Sequence, residues 1–219
     1  MAKTKSEETS FRILEAALEL FRTHGYDKTT MRDIAASAGV ATGAAYYYFE
    51  SKDAIVQAFY AMASTAMQPR IEAAVGAEKG LEKRLRAILR TKMDYFLPFR
   101  SVLRALLRNG ADPAHPLSPF SEQTKAIRDA DTAWFARIVE DCGIAVPRDL
   151  APHLPSVLWM YQMGVIFFWV TDESVGQART GRLVDLSAKA VTQLVKLSAL
   201  PLTRPIRKAA IDLIETVRS

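Results

Sequence analysis

Cysteine is nearly missing from this sequence: Cys142 stands alone among 219 residues. A single thiol excludes an intramolecular disulfide framework, so a reducing cytoplasm is the expected compartment. Histidine is almost as scarce, at three residues. His115 sits in a proline-rich loop and His153 near a helix start, neither with a Cys or second His at metal-ligand spacing, so no metal site is expected. The phosphate loop G-x-x-x-x-G-K-[ST], the zinc motif H-E-x-x-H and the nucleophile elbow G-x-S-x-G are all absent. Catalysis lacks its usual raw material, and neither an enzyme nor a cofactor is expected. Long apolar runs are missing too. The longest, VLWMYQMGVIFFWV from Val157 to Val170, contains Gln162 and Gly164 and falls short of the roughly 18–20 residues a bilayer requires. It reads as a soluble helix buried on several sides, with no membrane as partner. The polar opening MAKTKSEETS leads into no apolar stretch, so no signal peptide is expected.

What is present is ordinary globular material, 49% apolar and 24% charged, ample for a core. The net charge of +5 invites a nucleic-acid reading, but its distribution weakens it. Residues 1–52 hold seven Lys/Arg and seven Asp/Glu and are neutral. The excess is richest between Arg70 and Arg108, where ten basic residues face four acidic ones. Individual positions must therefore carry any claim about DNA.

The pattern is helical almost throughout, with no sustained period-two stretch, so an all-α fold is expected. Ile13, Ala16, Ala17, Leu20 and Phe21 form the stripe of a first helix, with Thr9 or Ser10 as N-cap and Gly25 as its end. Thr30-Met31-Arg32-Asp33 reads as a capping box opening a short second helix, which Gly39 stops. A third short helix runs from about Thr42 to Tyr48. Ser51 caps a fourth carrying Ile55, Phe59 and Met62, which fades before Pro69. Further helices are expected near 81–97, 99–109, 120–142, 153–171, 179–199 and 205–218.

Two short helices joined by a tight Gly-containing turn make a helix-turn-helix, whose second member enters the major groove N-terminus first. The small residues Ala41, Thr42, Gly43 and Ala44 permit close approach there. Thr42 offers a hydroxyl and a methyl, while Ala41 and Ala44 suit thymine methyls.

The stretch GVATGAAYYYFESKD, preceded by TTMRDIAASA and ILEAALELFRTHGYDKTT, resembles the N-terminal domain of TetR-family transcriptional regulators. The family's Phe-x-x-x-Gly-Tyr close of helix one is Phe21 to Tyr26, its Thr-Thr is Thr29-Thr30, and its Gly-Val turn is Gly39-Val40. The close of the recognition helix is Tyr46-x-Tyr48-Phe49-x-x-Lys52. The resemblance is specific over about residues 10–60. It implies backbone contact for Tyr46, contact with a phosphate, base or sugar for Tyr47, and a phosphate near Tyr48. It also makes Lys52 a phosphate ligand, lets Arg32 reach a phosphate or base edge, and lets Thr30 both cap helix two and meet a phosphate. Phe49 is expected in the core. Thr42 departs from the Lys and Ala45 from the Leu that many relatives carry at these positions.

The resemblance further implies an N-terminal three-helix DNA-binding domain, residues 1–52, and a larger helical domain, 53–219, that binds an effector and dimerises. The expected partners are an operator in double-stranded DNA, a second copy of the chain, and a small effector of apolar or aromatic character that releases a repressor. Large apolar side chains commonly line such cavities; the candidates are Phe96, Phe99, Phe120, Trp134, Phe135, Trp159, Met163 and Phe167. The dimer is expected through the last long helix pair, with Gly164, Phe168, Leu183, Leu186 and Val191 as candidates. Gly164 inside an apolar helix costs about 1 kcal/mol against Ala, so a packing reason is expected. Two basic stripes, Lys83-Arg86-Arg90 and Arg100-Arg104-Arg108, read as solvated faces, with an anionic effector as the alternative. A helical carrier or an all-α enzyme without DNA binding is the competing function.

Overall fold

The computed structural model describes residues 4–107 and 112–218, the side chains of 217 and 218 excepted. Arg108 and the start of the loop at Gly110 lie outside the described residues. The described chain is helical and contains no strand. Its helices are α1 Lys5–His24, α2 Met31–Ser37, α3 Thr42–Tyr48, α4 Lys52–Gly76 and α5 Leu81–Phe96. They continue with α6 Arg100–Leu106, α7 Lys125–Asp141, α8 Leu154–Thr171, α9 Ala178–Ser198 and α10 Arg204–Arg218.

Three boundaries differ most from the sequence expectation. Helix α1 starts well before Thr9. Thr4 is its N-cap, and a capping box closes with Glu7, whose N–H donates to Thr4 Oγ1 (3.2 Å) while Thr4 N–H donates to Glu7 Oε2 (2.7 Å). The polar first turn lies ahead of the apolar stripe, so periodicity alone starts the helix too late. Helix α4 does not fade before Pro69 but runs through it to Gly76. Proline removes one intrahelical hydrogen bond. The buried row Ala63, Met67, Ile71 and Val75, at spacing four, carries the helix across that gap. Helix α7 also begins later than expected, at Lys125 rather than near residue 120.

The described residues form two compact units. The first comprises Met1–Ala66 with Phe96–Ile127. Here α1 packs on α2 and α6, and α2 packs on α3. Its core draws Ile13, Leu14, Ala17 and Phe21 from α1, Met31, Ile34 and Ala35 from α2, and Ile55, Val56 and Phe59 from α4. The α1 stripe is thus centred on Leu14 and Leu18 rather than on the half-buried Ala16 and Leu20. The Phe59 ring meets Phe96 (5.9 Å) and Phe99 (4.8 Å) edge-on.

The second unit comprises Met67–Tyr95 with Arg128–Ser219. Leu89, Val165 and Val184, one each from α5, α8 and α9, form a buried cluster covered by Met93 and Tyr161. Helix α8 packs on α9, and Tyr161 Oη shares a hydrogen bond with Ser187 Oγ (2.7 Å). The α9 N-terminus is held by Asp172, whose carboxylate accepts from Thr180 N–H (2.9 Å), Thr180 Oγ1–H (2.6 Å) and Ser174 N–H (2.9 Å). These donors, led by the Thr180 hydroxyl, keep the carboxyl far below the usual carboxylate range. The stripe Lys83-Arg86-Arg90 is not simply solvated. Arg86 pairs with Glu82 (2.5 Å) and Asp185 (3.3 Å), and Arg90 with Asp185 (2.8 Å), tying α5 to α9.

Candidate nucleic-acid interface

The interface is built around the turn between α2 and α3. Thr30 caps α2 from an extended backbone. Its Oγ1 accepts from Asp33 N–H (3.2 Å), and the Asp33 carboxylate accepts from Thr30 N–H (2.9 Å) and Thr30 Oγ1–H (2.6 Å). The expected capping box is present, and the Thr30 hydrogen bonds hold the Asp33 carboxyl below its ordinary pKa. The helix ends at Gly39, φ +66°. Val40 N–H reaches Ala35 O (3.0 Å) and Gly39 N–H reaches Ala36 O (3.2 Å). This pair of bonds is a Schellman closure, which requires a left-handed residue after the cap. It turns the chain sharply enough for Ala41 to become the N-cap of α3.

On α3 the chemistry separates by face. Ala45 is fully buried and Phe49 nearly so, which anchors the helix on the core. The small residue at position 45 is therefore a core position. Ala41, Thr42 and Gly43 are exposed, and Ala44 is half-buried. Tyr46 is 52% exposed and Tyr47 83%. Tyr48 is half-buried, its hydroxyl accepting from Ser6 Oγ at 3.4 Å and its ring standing edge-on to Tyr47 at 5.2 Å. The three consecutive tyrosines thus divide between two environments: Tyr46 and Tyr47 project into solvent, and Tyr48 braces Tyr47 against the start of α1. Arg32 on α2 and Thr30, the N-cap of α2, are also exposed.

Lys52 is more constrained than its motif position suggests. Its Nζ donates to the Tyr26 carbonyl (2.8 Å) and lies 4.4 Å from the centre of the Tyr26 ring. The Tyr26 hydroxyl donates to Asp53. Burial, followed by the Asp53 bond, pushes the Tyr26 pKa well up. A clamp therefore joins the loop after α1 to the first turn of α4, with Tyr26 also against Phe21 (ring centres 5.0 Å). The sequence motif alone gives Tyr26 no partner and gives Ser6 and Asp53 no role. The Lys-Asp pair opening α4 is plain in the sequence, but its partner Tyr26 lies far back in the chain.

Two family models cover most of this chain: "Bacterial regulatory proteins, tetR family" over residues 13–59 and "Tetracyclin repressor-like, C-terminal domain" over residues 84–213. The chain belongs to the TetR family. As a TetR-family protein it is a DNA-binding transcriptional regulator, with a helix-turn-helix N-terminal domain and a helical C-terminal domain. It is 34% identical over 90 residues to the HTH-type transcriptional regulator SrpR of Pseudomonas putida. That match spans 41% of this chain and only 40% of SrpR. Among solved structures, a TetR-family regulator from Syntrophomonas wolfei aligns with a TM-score of 0.64 at 24% identity, covering 86% of this chain and 96% of that one. The SmeT–triclosan complex aligns with a TM-score of 0.58 at 20% identity, covering 84% of this chain and 91% of that one. These likenesses establish the TetR fold.

The remaining candidates divide between the two units of this TetR-family regulator. Phe96, Phe99 and Phe120 are half-buried in the first. In the second, Phe135 and Trp159 are buried, and Trp134, Met163 and Phe167 are half-buried. The Arg137 guanidinium lies 3.8 Å from the Trp134 ring centre. Helix α8 is not covered all round as its composition suggests. Val157, Met160, Gly164 and Phe168 are exposed along one stripe. On α9, Leu186 (59%), Leu194 (65%) and Leu197 are exposed, with Leu183 and Val191 half-buried. A Cβ placed on Gly164 would meet nothing within 4 Å, so no packing contact among the described residues requires this glycine.

Proposed function

We propose that this chain is a homodimeric, sequence-specific repressor whose α3 reads the major groove and whose operator is released by a small apolar or aromatic effector. The observation that carries the DNA contact is the split face of α3. Ala45 and Phe49 are sunk in the core, while small residues and two tyrosines stand free on the side a groove would meet. In this reading Ala41 to Ala44 approach the base edges, and Tyr47 reaches into the groove. Tyr46, Tyr48, Arg32, Thr30 and Lys52 hold the flanking phosphates. One ammonium proton of Lys52 is used on Tyr26, which orients the remaining donors.

The dimer reading rests on the exposed apolar stripes of α8 and α9. Leucines and a phenylalanine standing at helical spacing in solvent mark an interaction surface. A second copy supplies the missing cover, and Gly164 lets the two α8 backbones approach closely. For the effector, the SmeT–triclosan complex gives a precedent within the fold. Trp134, Phe135, Trp159, Met163 and Phe167 are the lining proposed in the second unit. Effector binding would act through α4, the helix that begins at the Tyr26 clamp, and change the separation of the recognition helices from the roughly 34 Å that successive major grooves demand. A protein whose partner is the operator works in the cytoplasm, and it needs no catalytic centre. A gel shift with DNA upstream of the chain's own gene tests the reading. A shift that resists excess non-specific DNA is expected, and its absence overturns sequence-specific binding.

A further inference from the structure

The second unit holds a buried polar cluster that neither DNA binding nor dimerisation uses. Lys92 on α5 is 4% exposed and donates to Asp131 Oδ2 on α7 (2.5 Å). Gln162, in the middle of α8 and 1% exposed, donates its Nε2–H to the same carboxylate oxygen (3.0 Å). That bond fixes the amide, because turning it over would set an oxygen against a carboxylate. The other end, Oε1, has no hydrogen-bond partner among the described residues. A buried acceptor without a partner carries a desolvation penalty that native cores rarely keep. Leucine would fill this position without it.

We propose that Lys92, Asp131 and Gln162 form the polar recognition point of the effector site, with Gln162 Oε1 accepting a hydrogen bond from an O–H or N–H of an uncharged, largely apolar effector. This rests on the effector reading above and names the chemistry it requires. The Lys92–Asp131 pair cancels its own charge, so an ionised ligand placed here would be buried without compensation. Apolar and aromatic groups stand one helical turn from each member: Leu89 from Lys92, Trp134 and Phe135 from Asp131, and Trp159 and Val165 from Gln162. The site therefore selects a hydrophobic body carrying at least one donor. It disfavours fatty-acid-like or phosphorylated anions.

The test is calorimetric titration of the full chain with 2-naphthol and with 2-methoxynaphthalene, two bicycles that differ in the O–H. The wild-type protein is expected to bind 2-naphthol at least about tenfold more tightly, since a site built around a hydrogen bond rejects the analogue lacking it. Gln162→Leu is expected to erase that preference. Equal binding of the two probes, binding of neither, or a preference that survives in Gln162→Leu would overturn the proposal. The wild-type comparison needs no variant, so it stands even if Gln162→Leu misfolds. A parallel gel shift separates the two readings. Gln162-dependent 2-naphthol binding that leaves the operator complex intact supports the site and refutes effector release. Release by either probe that is undiminished in Gln162→Leu supports the effector reading and refutes this site.

Discussion

A run of three tyrosines is informative because helical geometry gives each a separate direction. Successive residues point about 100° apart, so one residue beyond Tyr46 and Tyr47 turns back toward the protein. Tyr48 does so and meets Ser6, while Phe49 completes the turn into the core. Tyr47 is the most exposed of the three, and among the described residues its ring contact is the edge-on one with Tyr48. Tyr47→Ala is therefore expected to leave the melting temperature within about 2 °C of wild type. It should weaken operator binding at least about tenfold in a gel shift, in line with loss of an aromatic anchor. Lys52→Ala should also weaken it, but with a stability loss, because the Tyr26 carbonyl and ring both lose their partner. Tight binding retained by both variants would remove these residues from the interface.

At the scale of helices, the turn at Gly39 is a constrained joint of the helix-turn-helix. Its φ of +66° is sterically costly for any residue with a Cβ, although nothing crowds the position. Gly39→Ala is expected to destabilise the protein by about 1–2 kcal/mol in urea unfolding, with Gly39→Asn milder. Asp172 makes the corresponding joint in the second unit. Folding lowers its pKa, so its stabilisation is complete above the unfolded value of about 3.9 and is lost as pH falls below that. Asp172→Ala should lower the melting temperature by roughly 2–4 °C at pH 7. The gap from wild type should narrow in the acid region below about pH 4. The sequence made these local devices legible unevenly. The Thr30 capping box, the Gly39 turn and both ends of α3 are local patterns, and all are where the sequence placed them. Thr4 opens a polar turn that apolar periodicity does not mark, and the helix-ending tendency of Pro69 is overridden by a buried row at spacing four. The Tyr26–Lys52–Asp53 clamp and the Lys92–Asp131–Gln162 cluster join residues far apart in the chain, and no periodicity reports such pairs.

For the whole molecule, the decisive question is what covers α8 and α9. Met160, Gly164 and Phe168 on one helix fall at spacing four, and Leu186, Leu194 and Leu197 on the other at eight and three, so each helix presents one apolar strip. In a two-fold dimer each strip meets its own copy or its neighbour's, so one substitution is introduced twice into the same interface. Phe168→Glu together with Leu186→Glu would place four carboxylates in that surface and bury none within a single chain. The double variant is expected to keep its helical circular dichroism and to elute as a monomer, with its mass fixed by light scattering. Loss of the partner also removes the linked second half-site, so operator affinity should fall by at least about a hundredfold. The dependence of binding on salt should flatten, since fewer phosphates are neutralised per bound particle. A double variant that remains dimeric would refute the α8–α9 interface. One that becomes monomeric yet keeps full operator affinity would instead show that a single α3 suffices, and the paired-groove mechanism would fall with it.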